Sequence, residues 1–234
     1  CVVIAERVAA GGLRVIGVGQ HRSDGLRRGV IVDAEKTVNA IAEAVRQAEL
    51  MAGVEVGSVY AGIAGDHIRS FNSRGVIAVS GPDNEITSND EARVIEAAKA
   101  INIPLDREIV HVLPQDFLVD DQPGIKDPIG MSGVRLEADV HIVTGAVTSA
   151  QNICKSIRRA GVEIVDLVLE PIASAYAVLT PDEEEMGCLL VDIGGGTSDI
   201  AVFYDGSIRH TAVVGLGGEN VTHDVSIGMR TPIK

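Results

Sequence analysis

The sequence predicts an α/β fold interrupted by a small α+β insertion. Hydrophobic residues make up 46% of the 234 residues and aromatic residues only 3%, so Val, Ile, Leu and Ala must build the core, which favours α/β layering. Strand-like runs rich in β-branched residues alternate with amphipathic helical runs in residues 1–66 and again from residue 142. Residues 67–141 depart from this rhythm because their strand-like runs are more polar, and this change indicates an insertion.

Residues 1–66 contain four strand patterns and one helix pattern. Strands are expected at 1–8, 13–20, 28–33 and 58–65, and a helix at 36–53. Residues 9–12 (AAGG) are typical of a turn and predict a hairpin between the first two strands. Gly53 stands where a C-terminal helix cap is expected.

The insertion is expected to hold strands around one helix. Ser88 followed by Glu91 is a capping-box signature, so a helix should begin there and run to about Ile101. Two later strand patterns, REIVHVLPQDFLV and GVRLEADVHIVTG, are separated by a stretch rich in Pro, Gly and Asp. We expect that stretch, Asp120 to Gly133, to be a loop.

From residue 142 the α/β alternation returns. The expected order is strand (HIVTGAV), helix (SAQNICKSIRRAG), strand (VEIVDLVLE), helix (PIASAYAVL), three strands (GCLLVDI, DIAVFY, SIRHTAVV) and a helix after GLGGEN. Asp205–Gly206 is a strong hairpin-turn signal. This last group repeats the plan of the first strands and helix except for one opening strand and a glycine turn. A duplicated unit is therefore a hypothesis, with those two pieces expected before Cys1.

Charge and composition exclude several kinds of function. The formal net charge of −13, from 20 Lys and Arg against 33 Asp and Glu, argues against binding a nucleic-acid backbone. Cysteines and histidines do not fall at zinc-ligand spacing. Hydrophobic runs stay below the roughly 18 residues that a membrane-spanning helix needs.

Three consecutive glycines lie between two strand patterns in VDIGGGTSDIAVF. A dinucleotide-binding loop would open a helix, but the β-branched run DIAVF follows Gly194, Gly195 and Gly196. The G-K-[ST] sequence of a Walker A loop is also missing. Glycine turns between strands can still bind phosphate, because backbone N–H groups without neighbouring Cβ atoms can converge on an anion. The alternative is an ordinary hairpin turn.

Polar residues flank these glycines. Thr197 and Ser198 add hydroxyl donors for a phosphate. Asp192 ends the first strand, and a carboxylate beside a phosphate requires a cation between them, so Asp192 suggests Mg²⁺ held through water. Asp199 either assists that ion or caps the turn.

A second glycine pair precedes the last helix pattern. Gly217 and Gly218 would let a nucleotide approach a helix N-terminus. The alternative is a simple connection between a strand and a helix.

The whole chain resembles one known family. VDIGGGTSDIAVF followed by GG before a helix is similar to the second phosphate motif of the actin/Hsp70/sugar-kinase ATPase superfamily, and LEPIASAYAVL resembles its connecting helix. AELMAG, SVYAGIAGDHIRSFNS, HVLPQDFLVDDQPGIKDPIGMSGVRLEADVHIVTG and GSIRHTAVV resemble the FtsA family of bacterial actin-like cell-division proteins. The resemblance implies an actin-like (ribonuclease H-like) ATPase fold. It implies subdomain 1A in 1–66 and 142–186, subdomain 1C in 67–141, and the start of subdomain 2A in 187–234.

The resemblance also implies a function. The implied function is that of a scaffold that binds ATP and Mg²⁺, forms filaments and is at most a weak ATPase. The scaffold is expected to tether FtsZ to the cytoplasmic face of the cell membrane at the division septum and to recruit later division proteins. By motif, Asp192 lies near Mg²⁺, the residues Gly194 to Thr197 wrap the phosphates, and Gly217 and Gly218 lie near the phosphate and sugar. Glu170 stands where a carboxylate orients the attacking water.

Some family features are expected outside these residues. A first phosphate turn should precede Cys1, and the adenine-binding residues, the FtsZ-binding subdomain and a membrane-anchoring C-terminal helix should follow Lys234. Two alternatives stay open within the superfamily. One is an actin-like assembly protein of a pilus or rod-shape system, and the other is a sugar or acetate kinase.

Overall fold

The computed structural model describes residues 1–8 and 11–233, and for Pro82 the backbone alone. The first part of the chain comprises β1 (Val2–Arg7), β2 (Leu13–Gly19), β3 (Leu26–Arg27), β4 (Val30–Ile31), α1 (Ala34–Ala52) and β5 (Ser58–Ile63). The middle part comprises β6 (Arg69–Ala78), a short 3-10 turn (Pro82–Asn84), α2 (Ser88–Lys99), β7 (Arg107–Val119), β8 (Gln122–Ile125) and β9 (Arg135–Ala146). The last part comprises α3 (Val147–Arg159), β10 (Glu163–Leu169), α4 (Glu170–Val178), α5 (Pro181–Met186), β11 (Cys188–Ile193), β12 (Ser198–Tyr204), β13 (Ser207–Val214) and α6 (Gly218–Met229).

Helix α1 lies close against the β1–β2 hairpin. A Cβ atom at Gly19 would lie 1.7 Å from the carbonyl oxygen of Ala44, so only glycine permits this approach. Asp33 caps the helix by accepting a hydrogen bond from the backbone of Lys36, and Gly53 ends it with φ 71, which confirms the predicted cap. The first two residues of the predicted AAGG turn lie outside the described residues.

The expected strand at 28–33 is wrong in its extent. Only Val30–Ile31 is a strand, and it pairs antiparallel with Leu26–Arg27. The two-residue turn between these strands has positive φ at Arg28 (51) and Gly29 (76), so the run folds back as a short hairpin.

An open groove lies beside two small sheets that the first part of the chain helps to form. The β1–β2 hairpin and the parallel pair β5–β10 are separate two-stranded sheets. A groove of about 1080 Å³ lies among β1, α1 and β5, and its lining reaches Glu170 and Thr197.

The middle part is a four-stranded antiparallel sheet of order β6-β9-β7-β8 covered by α2. Its core is aliphatic apart from one phenylalanine: Val79, Ile86, Val94, Ala98, Phe117, Val119, Leu136, Ala138, Val140 and Ile142. Strand β9 continues to Ala146 and so crosses the expected boundary at residue 141.

Two details of this part correct the sequence expectations. The capping box is one residue earlier than the Ser88–Glu91 pair, because Thr87 has extended backbone angles and exchanges hydrogen bonds with Asp90. The expected loop from Asp120 to Gly133 contains β8, which pairs with the end of β7.

The insertion contacts strand β13 through buried hydrogen bonds. His141 is fully buried, and its ring nitrogens lie 2.6 Å from Asn72 Oδ1 and 3.0 Å from Thr211 Oγ1. Gln115 Nε2 donates to the carbonyl oxygen of Ile208 at 2.6 Å. The insertion is therefore fixed to the β12–β13 hairpin, whose strand β12 begins at the glycine turn.

A cluster of charged side chains joins the insertion to the tip of the β12–β13 hairpin. This tip cluster consists of Asp116 and Lys126 from the insertion and Asp205 and Arg209 from the hairpin. Lys126 Nζ lies 2.7 Å from Asp116 Oδ1 and 3.0 Å from Asp205 Oδ2. Arg209 pairs with both carboxylates.

The last part is built around the antiparallel sheet β11-β12-β13. Ala201 and Phe203 of β12 pack in one core with Leu169 and Ile172. Helix α5 was not expected, although Thr180 and Glu183 form a capping box around Pro181. In the described ranges, every helix is too short or too polar to cross a membrane.

Candidate functional site

The glycine turn joins β11 to β12 as predicted. Strand pairing places Asp192 opposite Asp199, one pair before the turn. The N–H of Gly194 donates to the carbonyl oxygen of Thr197 at 2.9 Å and closes the turn. Within the described part of the chain, the N–H groups of Gly195 and Gly196 have no acceptor. Two backbone donors at the turn are thus free to bind an anion.

Helix α6 docks on this turn. The N–H groups of Gly218 and Glu219 donate to the carbonyl oxygens of Gly194 and Gly195, each at 2.9 Å. Gly217 makes the approach possible, because a Cβ there would lie 2.5 Å from both of those oxygens. The two predicted glycine segments are therefore parts of one structure. The first amides of α6 are used by the turn, so Gly217 and Gly218 serve this contact first, and their closeness to a nucleotide stays a prediction.

Three carboxylates lie together beside the turn. Glu170 is the first residue of α4 and follows buried Leu169. Solvent reaches Glu170, yet protein surrounds much of it, and this desolvation raises the pKa of its carboxyl, with the charges of Asp199 and Asp192 adding to the effect. The structure thus brings together the three acids that the sequence singled out.

Asp199 is the most unusual of these acids. It is 2% exposed, and among the described residues its Oδ1 has no hydrogen-bond partner. Burial above all raises the pKa of its carboxyl, a hydrogen bond with Thr197 lowers it in part, and the charge of Asp192 raises it further. A buried carboxylate oxygen without a partner is costly unless a cation or a donor reaches it. Among the described residues, no three metal-ligating side chains are grouped closely enough to hold an ion directly. Mg²⁺ held through water at Asp192 stays a prediction.

The two hydroxyls near the turn differ in their surroundings. Ser198 Oγ donates to the carbonyl oxygen of Leu216 at 2.8 Å, so its proton already has an acceptor. Thr197 is buried at the base of the turn. The side chain of Thr197 also has a partner, because its hydrogen bond with Asp199 lowers the pKa of that carboxyl, so contact of either hydroxyl with a ligand stays a prediction.

Two residues near these acids were not predicted. Ser174 Oγ donates to Asp192 Oδ2 at 2.6 Å and orients that carboxylate. It stands four residues after Glu170, on the same face of α4, and this spacing could have identified it. A Cβ at Gly62 would lie 3.1 Å from Cγ and Oε1 of Glu170, so the glycine gives that side chain its room.

Sequence comparison places the chain among known proteins. It is 51% identical over 230 residues to cell division protein FtsA of Pseudomonas aeruginosa and 50% identical over 221 residues to that of Neisseria meningitidis. These matches cover 98% and 94% of this chain.

The chain belongs to the FtsA family. It spans about half the length of the curated relatives it matches, 55% and 53% of the two proteins above. Residues 65–144 match the family model of the SHS2 domain inserted in FtsA, and residues 189–234 match the model of cell division protein FtsA. The division of this FtsA-family chain into subdomains 1A, 1C and 2A stays a prediction.

The structural neighbours agree with the family. The chain superimposes on a chain of the PilM–PilN type IV pilus biogenesis complex with a TM-score of 0.69 at 15% identity, over 98% of this chain and 62% of that one. At this identity the likeness is one of fold. The predicted actin-like ATPase fold with an α+β insertion is confirmed.

Proposed function

We propose that this chain supplies the phosphate- and metal-binding part of a filament-forming, ATP-binding cell-division scaffold. One observation carries the proposal. The glycine turn leaves the N–H groups of Gly195 and Gly196 free next to the facing pair Asp192 and Asp199. Donors for an anion beside acceptors for a cation suit a complex of a nucleotide phosphate with Mg²⁺.

Each residue has a distinct part in this proposal. Gly195 and Gly196 bind the phosphates through their N–H groups, whereas Gly194 and Thr197 close the turn that presents them. Asp192, oriented by Ser174, would hold Mg²⁺ through water, and the ion would neutralise phosphate charge when bound. In its ionised form Glu170 accepts a hydrogen bond from a water molecule in the site. The raised pKa makes the Glu170 carboxylate a stronger base toward that water.

The wider role concerns the whole protein rather than these residues alone. Two relatives that are 51% and 50% identical to this chain are named cell division protein FtsA. We propose that the intact protein forms filaments, tethers FtsZ to the cytoplasmic face of the membrane at the septum and recruits other division proteins. The support for this wider role is the family membership.

Calorimetry of an intact FtsA-family protein carrying these residues tests the site. Asp192→Asn should weaken Mg-ATP binding about tenfold or more, because the charge opposite the ion is lost. In EDTA the variant and the parent should bind ATP alike. Asp224→Asn, which changes an exposed carboxylate on α6, serves as the matched control. Equal Mg-ATP affinity in Asp192→Asn and the parent would reject the site.

A cell-based experiment tests the wider role. A strain whose only copy carries Asp192→Asn should divide poorly and form long cells, whereas Asp224→Asn should divide normally. Normal division by the Asp192 variant, with its ATP binding shown to be weakened, would separate division from nucleotide binding and refute the scaffold part of the proposal.

A further inference from the structure

The β3–β4 hairpin carries an arginine in an unfavourable backbone conformation. Its turn residues Arg28 and Gly29 have φ values of 51 and 76, which is a type I′ pattern. Asn, Asp or Gly is preferred at the first of these positions, because longer side chains are disfavoured in the left-handed region. Such local strain occurs most often where a side chain has a function.

The hairpin holds Arg28 against both glycine segments. A Cβ at Gly196 would lie 3.4 Å from the backbone nitrogen of Arg28, and one at Gly215 would lie 3.7 Å from its Cδ. On the other side a Cβ at Gly29 would lie 2.3 Å from the carbonyl oxygen of Ala64, so the turn is packed against the loop after β5. The position of Arg28 is therefore fixed by backbone contacts on two sides.

The guanidinium of Arg28 is available for a ligand. Arg28 is exposed, and the described residues offer it neither an ion pair within 4 Å nor a hydrogen bond. A carboxylate lies nearby, because Asp66 Oδ2 is 3.8 Å from the same Cβ position at Gly215. A planar guanidinium fork matches two phosphate oxygens.

We propose that Arg28 is a phosphate-binding residue that holds the nucleotide polyphosphate together with the Gly194–Thr197 turn it contacts. This inference rests on the proposed function of that turn. It adds a contact from the first part of the chain, so that two segments far apart in sequence bind the same anion. Strain at Arg28 is then the cost of placing a cation at this point.

Arg28→Asn separates a ligand role from a structural one. Asparagine suits a type I′ turn, so the hairpin should be as stable as before or more stable. In an intact FtsA-family protein the variant should bind Mg-ATP about tenfold or more weakly by calorimetry. Arg28→Lys should recover part of the affinity, because it keeps the charge but loses the fork. Arg27→Gln is the matched control, since Arg27 is an exposed arginine on the same hairpin.

Two further measurements complete the test. Thermal unfolding without nucleotide should show no loss of stability in Arg28→Asn. The difference in affinity between parent and variant should shrink in 1 M salt, where charges are screened beyond about 3 Å.

Each outcome has a defined meaning. Equal Mg-ATP affinity in Arg28→Asn and the parent overturns the role of Arg28 and leaves the glycine-turn site standing. An equal loss in Arg27→Gln, or a loss that parallels unfolding without nucleotide, also overturns it. A parent that binds neither Mg-ATP nor inorganic pyrophosphate overturns both proposals.

Discussion

Adding one methyl group at Gly217 should detach helix α6 from the glycine turn. Gly217 has φ −148, which alanine adopts without strain, so the effect of Gly217→Ala comes from its contacts alone. The new Cβ would lie 2.5 Å from the carbonyl oxygens of Gly194 and Gly195. Carbon and oxygen atoms cannot remain that close, and both neighbours are backbone atoms without rotamers to change.

The size of the effect follows from the bonds that hold the helix. Separation by roughly an ångström restores ordinary contact distances. It stretches the two 2.9 Å bonds donated by Gly218 and Glu219. Each contributes about 0.5–1.5 kcal/mol, so the variant should lose about 1–3 kcal/mol of local stability. Gly218→Ala is the matched control, because its Cβ would have its nearest neighbour at 3.7 Å, an ordinary contact.

Amide hydrogen exchange measures this directly. In Gly217→Ala the amides of Gly218 and Glu219 should exchange about tenfold to a hundredfold faster. In Gly218→Ala the protection of Glu219 should be kept or increased, because alanine favours the helix. Unchanged protection in Gly217→Ala, together with an unchanged free energy of unfolding, would refute the docking of α6 on the turn.

Three further predictions concern stability. Gly19→Ala should lower the free energy of unfolding, measured in urea, by about 2–3 kcal/mol through overpacking against α1. Gly57→Ala is the control, because open space surrounds that position and the free energy should change little. Equal urea midpoints for the two variants would be contrary evidence. For Asp116, burial raises the pKa, but hydrogen bonds from two basic side chains outweigh it and hold the pKa below its usual range. The stabilisation by Asp116 is therefore fully present above about pH 4 and is lost as the pH falls through the lowered pKa of the folded protein. Asp116→Asn should cost about 1–3 kcal/mol at neutral pH and progressively less below about pH 4, and a cost that does not change with pH would count against the ion pairs. Burial lowers the pKa of His141 to about 4, so the folded protein loses stability as the pH falls from about 6.5 to about 4. Titration of this ring near pH 6.5, followed by NMR, would disprove its burial.

Periodicity and turn chemistry predicted the elements that depend on local sequence. Gly53 ended its helix where a left-handed cap was expected. The hairpin at Asp205–Gly206 formed because both residues tolerate positive φ. The errors arose where local signals compete. Thr87 and Asp90 form the same pattern as Ser88 and Glu91, one residue earlier, and backbone geometry decides between them.

Residues that act through distant partners could not be predicted in this way. The glycine motif indicated its own carboxylates because they are adjacent in sequence. Contact between the turn and Arg28 joins segments more than a hundred residues apart, and no periodicity relates them. The bond from Ser174 to Asp192 depends on how α4 packs on β11. Strand β8 forms in a stretch rich in turn residues because the end of β7 offers it an edge.

The insertion should be exchangeable among relatives only together with the β12–β13 hairpin that it contacts. The tip cluster takes Asp116 and Lys126 from the insertion but Arg209 from a hairpin 93 residues beyond Asp116. A transplanted insertion would meet the host's own charges at this point, and a carboxylate that loses its partners here costs about 1–3 kcal/mol. Insertion and hairpin therefore constrain each other's evolution as one unit.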